Sequence, residues 1–140
     1  MPIVQVENMP TRPSVMVVDD ETEIAELFCR FLESSGFNCN YFTDPQLALD
    51  NFSKHPNSYC LVILDLRMPG LDGLGLARRL RKYNKTIKVI LVTGFLMEEN
   101  IDNEIVKDVG ISAILEKPFH FKEINPLIKE ILAEQPSNSR

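Results

Sequence analysis

The chain of 140 residues is 44% hydrophobic and 25% charged, which is enough for one sizeable core and too little for two typical domains. Its formal net charge of -5 argues against a surface built for nucleic acid or anionic lipid. No apolar run approaches the length of a membrane span, and no basic segment followed by an apolar one stands at the amino terminus. Cys29, Cys39 and Cys60 are odd in number, lack C-x-x-C spacing and lie in apolar segments. They read as reduced core thiols in a cytoplasmic protein, and not as metal ligands.

Residues 1–13 contain Pro2, Pro10 and Pro13 and read as a flexible tail. Ser14–Val18 is an apolar, strand-like run that ends in Asp19-Asp20-Glu21. Ile24, Leu27, Phe28, Phe31 and Leu32 then fall on one helical face, opened by a capping box from Asp20 to Glu23 and stopped by Gly36. Residues 37–42 alternate apolar and polar, as a half-exposed edge strand does. Asp44-Pro45 opens the next helix, with Asp as N-cap and Pro in the first helical position.

The run Cys60-Leu61-Val62-Ile63-Leu64-Asp65 has no alternation, which suits a strand covered on both faces, and it delivers a carboxylate to a loop. Residues 68–73 are rich in turn formers and lead into a helix with Leu74, Ala77 and Leu80 on one face. Residues 87–92 form a fourth strand that ends at Thr93-Gly94. A helix over 98–109 turns Ile101, Ile105 and Val109 inward and stops at Gly110. Residues 112–115 make a short fifth strand before Glu116-Lys117-Pro118. The last helix carries Leu127, Ile128, Ile131 and Leu132. Pro126 is poorly placed in a second helical turn, so the spacing predicts a separate turn over 121–124 and a helix from Pro126 with Asn125 as N-cap, or else a kink. Residues 135–140 form a polar, flexible tail.

Strands alternating with helices require right-handed crossovers and hence a parallel sheet. The expected fold is α/β, a doubly wound five-stranded parallel sheet of flavodoxin-like order 2-1-3-4-5 with helices on both faces, over residues 14–134. Such sheets keep their chemistry at the carboxyl ends of the strands. Strands one, three, four and five end there in Asp19 and Asp20, Asp65, Thr93 and Lys117. Two carboxylates about 4 Å apart repel by roughly 4 kcal/mol at a protein surface. Three acids with one lysine therefore need a cation or a proton, and Mg²⁺ suits an all-oxygen site that keeps positions for water and phosphate. Asp65 is then a carboxylate nucleophile for a phosphoryl group, with Lys117 and Thr93 placed to contact its oxygens.

These motifs, Val18-Asp19-Asp20-Glu21, Leu64-Asp65-Leu66-Arg67-Met68-Pro69-Gly70-Leu71-Asp72-Gly73, Thr93-Gly94 and Lys117-Pro118-Phe119, resemble the receiver domain of two-component response regulators. The resemblance implies that Asp65 is the phosphoacceptor. It further implies that Asp20, Asp65 and the Arg67 main-chain carbonyl bind Mg²⁺ directly, with Asp19 acting through a water. Thr93 and Lys117 would contact the phosphoryl group, and the peptide before Pro118 would be cis. The donor would be a sensor histidine kinase or a histidine phosphotransfer protein. Receivers usually carry Tyr or Phe three residues before this lysine, where Ile114 stands, so the usual aromatic switch is not available here. Phe95 could shield the acyl phosphate or simply pack the loop.

The basic cluster of Arg78, Arg79, Arg81, Lys82 and Lys85 reads as a solvated face. His55 and His120 lack partners at metal spacing, and Met68 and Met97 are isolated. The chain is therefore expected to be no enzyme beyond its own phosphorylation and dephosphorylation. Nothing after Ala133 could fold, so its output would pass through an unidentified downstream protein or through onward transfer, as a monomer or a phosphorylation-dependent dimer. The competing reading is an aspartyl-nucleophile phosphatase for small phosphate esters. That class carries a second Asp two residues after the nucleophile, where this chain has Arg67.

Overall fold

Apolar residues on alternate sides of each strand divide the interior into two cores. In a computed structural model that describes residues 12–94 and 103–134, the strands are β1 (Ser14–Val18), β2 (Asn38–Phe42), β3 (Leu61–Asp65), β4 (Lys88–Thr93) and β5 (Ala113–Glu116). They form one sheet in the order β2-β1-β3-β4-β5 with every pairing parallel. The helices are α1 (Thr22–Ser34), α2 (Pro45–Lys54), α3 (Gly73–Leu80), α4 (Asn103–Val109) and α5 (Ile124–Ala133).

Val15, Val17, Leu61, Ile63, Ile90 and Val92 face α1 and α5, where Phe28, Leu32, Ile128 and Ile131 cover them. Met16, Val18, Val62, Leu64, Val89 and Leu91 face the other layer, packed by Phe52 of α2, Leu76 and Leu80 of α3 and Val109 of α4. Because both faces are covered, the central strands show no hydropathic alternation, whereas the edge strand β2 is half-exposed, with Cys39 and Phe42 partly buried and Asn38, Asn40 and Tyr41 exposed.

Several local signals act as the sequence predicts. Asp44 caps α2 by accepting from the Gln46 N–H, with Pro45 next in the helix. Gly36 takes φ of 102° and closes α1, with Phe37 N–H donating to Leu32 O and Gly36 N–H to Glu33 O. Gly110 ends α4 in the same way at φ of 78°.

Other expectations need correction. The capping box from Asp20 to Glu23 does not form: Glu21 is the N-cap of α1 and gives no side-chain cap, because the Asp20 carboxylate lies with Asp19 and Asp65 instead. The separate turn before the last helix is present, as a 3₁₀ turn over Phe121–Glu123, but α5 starts at Ile124 with Glu123 as N-cap. Pro126 thus sits in the first turn, where its missing N–H would have had no partner within the helix. Asn125 does not cap the helix; its side-chain amide donates to Ser35 Oγ at 3.0 Å and ties α5 to the end of α1. Arg12 and Pro13, assigned to the tail by sequence, are hydrogen bonded: Arg12 donates to Glu33 O and Gly36 O, and Pro13 O accepts from Asn38 N–H. The tails over 1–11 and 135–140, the expected inward position of Ile101, and Phe95 and Met97 lie outside the described residues.

The cysteine expectation also changes. Cys29 on α1 and Cys39 on β2 form a disulfide, with Cα atoms 5.3 Å apart, and Cys60 is a free thiol. The chain reverses at Gly36, so the inward faces of α1 and β2 meet although neither apolar pattern marks a cysteine pair. Closing a loop of this length stabilises the fold by about 2–3 kcal/mol on the chain-entropy account.

Arg81 departs from the solvated face assigned to its cluster. Its guanidinium is half-buried and donates to Val109 O at 2.7 Å, to Gly110 O at 2.9 Å and to Ile87 O. It satisfies carbonyls at the end of α4 and fastens them to the entry of β4. Burial lowers its pKa from the ordinary guanidinium value. Arg78, Arg79, Lys82 and Lys85 are exposed. Arg81→Met should remove these bonds and leave the partly buried Val109 and Ile87 carbonyls without this partner, a loss of about 2–3 kcal/mol, or roughly 5–10 °C in the unfolding midpoint. Arg79→Met should shift the midpoint little, and thermal unfolding of the two variants checks the difference.

Candidate functional site

The register brings four strand ends to one rim. Val18 pairs with Leu64, so the residues that follow, Asp19 and Asp65, leave the sheet side by side. Thr93 pairs with Glu116, which sets Lys117 just beyond β5, where its N–H donates to Thr93 O at 2.8 Å. The Lys117–Pro118 peptide is cis.

One carboxylate oxygen each from Asp19, Asp20 and Asp65 lies within 4.8 Å of the others. Lys117 Nζ stands 4.0 Å from Asp19 Oδ2. Asp19 and Asp65 are 3% and 7% exposed, whereas Asp20 faces solvent. Burial, then the neighbouring Asp19 charge, pushes the Asp65 carboxyl up to about 6, against the opposing pull of Lys117 and a hydrogen bond from the Arg67 backbone. Burial likewise raises Asp19, although the Glu21 N–H donates to its Oδ1 at 2.9 Å and Lys117 attracts its charge. Lys117 is the cation that faces these three acids, so the rim favours a further proton or a cation.

Thr93 is fully buried, and its Oγ1 has no hydrogen-bond partner. Buried hydroxyls are nearly always paired, so this donor at the same rim marks a place suited to an acceptor oxygen. Three hard oxygen donors and an unpaired hydroxyl fit a Mg²⁺-type ion beside a phosphoryl group. Asp19, Asp20, Asp65, Thr93 and Lys117 are thus brought together. Arg67 lies exposed on the loop two residues beyond Asp65. Ile114 is placed away from the rim, half-buried on β5 opposite Leu91 and packed under the α3 and α4 layer. Phe95 lies outside the described residues.

Two supports escaped the sequence reading. A Cβ on Gly73 would collide with the backbone carbonyl oxygen of Asp65, so only glycine lets α3 start this close to the end of β3. Its N–H also donates to Leu66 O at 2.9 Å. The Gly73 position was visible as a turn former, but its contact is long-range and local propensity carries no trace of it. The second support is an aromatic cluster: Phe119 packs on Phe28 at 5.6 Å, and Phe121 on Phe28 and Phe31 at 5.3 and 5.4 Å. It anchors the segment after Lys117 to α1. His55 and His120 are both exposed.

Residues 15–129 match the family described as the response regulator receiver domain. The chain is 26% identical over 121 residues to "Response regulator receiver protein CpdR" of Brucella abortus, covering 85% of this chain and 97% of that protein. It is 33% identical over 127 residues to "Transcriptional regulatory protein CpxR homolog" of Haemophilus influenzae, covering 89% and 53% respectively. It therefore spans nearly the whole of the first relative and about half of the second. Among solved structures, a CheY-like receiver domain protein from Methanospirillum hungatei is similar with a TM-score of 0.79 at 26% identity, over 91% of this chain and 98% of that one. The Francisella response regulator 1452 receiver domain gives 0.73 at 31% identity, over 87% and 98%.

The raised Asp65 pKa fixes the sign of a pH effect. The folded state holds its proton from the ordinary value of 3.8 up to about 6, so metal-free stability should fall as pH rises through that window and stay low above it. Denaturant unfolding in chelator should show wild type more stable at pH 5 than at pH 7.5. Asp65→Asn should flatten that slope and raise stability at pH 7.5. Wild-type stability that climbs between those two pH values would contradict the assignment.

Proposed function

The chain belongs to the response regulator receiver domain family, and from that premise we propose that it is a phosphorylatable signalling module with Asp65 as phosphoacceptor. The observation that carries this reading is the meeting of Asp19, Asp20, Asp65, Thr93 and Lys117, from four strand ends, at one rim.

The donor is a phosphohistidine on a sensor histidine kinase or a histidine phosphotransfer protein. An Asp65 carboxylate oxygen attacks phosphorus in line, an O–P bond forms, the P–N bond to imidazole breaks, and the histidine leaves with its electron pair and takes up a proton. With its pKa near 6, Asp65 is mostly ionised at neutral pH and able to attack. Lys117, now 4.0 Å from Asp19, turns its ammonium to a phosphoryl oxygen, and the Thr93 hydroxyl donates to another. Asp20, Asp65 and the Arg67 main-chain carbonyl would hold Mg²⁺, with Asp19 acting through a water. The ion, when bound, offsets the negative charge that nucleophile and phosphoryl group bring together.

In this reading the exchange takes place in the cytoplasm. Among the described residues no helix is long and apolar enough to cross a membrane. Output passes to a downstream protein or onward to another histidine. Ile114 has no ring to turn, so the signal leaves through Thr93 and the residues that follow it.

Incubation with acetyl phosphate and Mg²⁺ tests this reading by intact mass. Wild type should gain one labile phosphoryl group, and the nearly isosteric Asp65→Asn should gain none while remaining folded. A full adduct on Asp65→Asn would remove Asp65 from the chemistry. Sustained turnover of small phosphate esters would favour the phosphatase reading.

A further inference from the structure

Outside the rim, Cys29 and Cys39 form a disulfide that the proposed reaction does not use. Its surroundings differ from those of a sealed structural staple. Cys29 is buried on α1, but Cys39 is half-buried on β2. A surface cavity of about 210 Å³, lined by Glu26, Cys29, Arg30, Glu33, Cys39 and Tyr41, opens over the bond. β2 is the edge of the sheet and pairs with β1 alone, so the strand that carries the reachable sulfur can shift outward without breaking a second ladder. Tyr41 OH donates to Glu26 Oε2 at 2.9 Å, an exposed tie between the same two elements that water can replace.

On the cytoplasmic location proposed above, on which this inference rests, a disulfide is usually transient and catalytic or redox-sensing and seldom permanent. We propose that Cys29–Cys39 is a reversible redox-modification site, reduced by a dithiol and re-formed by a low-molecular-weight disulfide, that clamps and releases α1 against the edge strand. A thiolate of the reductant enters the cavity and attacks Cys39 Sγ; the Cys29–Cys39 bond breaks, and Cys29 leaves as a thiolate and takes up a proton. The reductant's second thiolate then attacks the mixed disulfide, forms the oxidised reductant and releases Cys39, which is protonated in turn. In balance, one protein disulfide and one dithiol become one protein dithiol and one disulfide. Re-oxidation by oxidised glutathione runs through a mixed disulfide on Cys39, which Cys29 resolves, releasing two equivalents of reduced glutathione.

In the oxidised state the middle of α1 is held to β2; in the reduced state that tie is gone while the sheet pairing and the rim remain. The exchange does not involve Asp65, so its failure would leave the phosphoacceptor reading untouched.

The test uses the full chain purified without reductant, equilibrated in glutathione redox buffers, quenched in acid, denatured and tagged with maleimide. Oxidised protein should carry one tag, at the free thiol of Cys60. Native protein treated with dithiothreitol should carry three, and oxidised glutathione should return it to one. Amide exchange in β2 and the last turns of α1 should rise by about tenfold on reduction, with β4 and β5 unchanged. Cys60→Ser, which keeps the pair, should interconvert between no tags and two. Cys29→Ala/Cys39→Ala should show no exchange response to reductant. Three free thiols at every glutathione ratio, or a bond cut only in denaturant, would overturn the proposal. So would a Cys60→Ser chain that does not interconvert, or a double variant that still responds to reductant.

Discussion

Like charge confined at a low-dielectric edge is the constraint on which the rest of this structure depends. The β1–β3 pairing makes Asp19 and Asp65 neighbours wherever the hydrophobic register is correct, and two carboxylates about 4 Å apart repel by roughly 4 kcal/mol. Among the described residues the buried polar side chains are Asp19, Asp65 and Thr93, and all three stand at this rim. The two apolar cores beneath stabilise the fold; the rim is where that stability is partly given up. Burial first, and the Asp19 charge second, raise the Asp65 pKa; on the proposed reading a bound cation would offset the same charge.

A rim under repulsion keeps its geometry only if its supports are rigid. Gly73 brings α3 against the Asp65 carbonyl, and the Asp72 side chain caps that helix by accepting from Gly75 N–H. Phe119 and Phe121 fasten the segment after Lys117 to α1. Arg81, far from the chemistry, locks the end of α4 to the start of β4. Strand ends, backbone approach and ring packing together hold five polar groups where none of them alone would be informative.

What the sequence makes legible follows from the range of each interaction. The Asp44-Pro45 start, the Gly36 and Gly110 stops and the unbroken apolar run before Asp65 are set by neighbours in the chain, so spacing reveals them. The parallel sheet follows from βα alternation, while its order, and with it the convergence of the rim, goes with the family resemblance. The Cys29–Cys39 bond, the Arg81 contacts with Val109 and Gly110, and the Gly73 contact with Asp65 join segments whose meeting depends on packing. Asp20 shows how a local rule fails at a site: its capping signal is sound, but its carboxylate lies with the other two acids. Pro126 stands third in α5, because a proline is tolerated among the orphan donors of the first turn and not at its first position alone.

The central claim is that repulsion among Asp19, Asp20 and Asp65 is relieved by a divalent cation held between them, and the most direct measurement is the unfolding midpoint at pH 7.5 as a function of Mg²⁺. The wild-type midpoint should rise with Mg²⁺ in the way a ligand bound only by the folded state requires. Asp20→Ala should start no lower than wild type in chelator and gain much less from the ion. A wild-type midpoint indifferent to Mg²⁺, or a large loss of metal-free stability in Asp20→Ala, would contradict the account and return these acids to the role of helix caps.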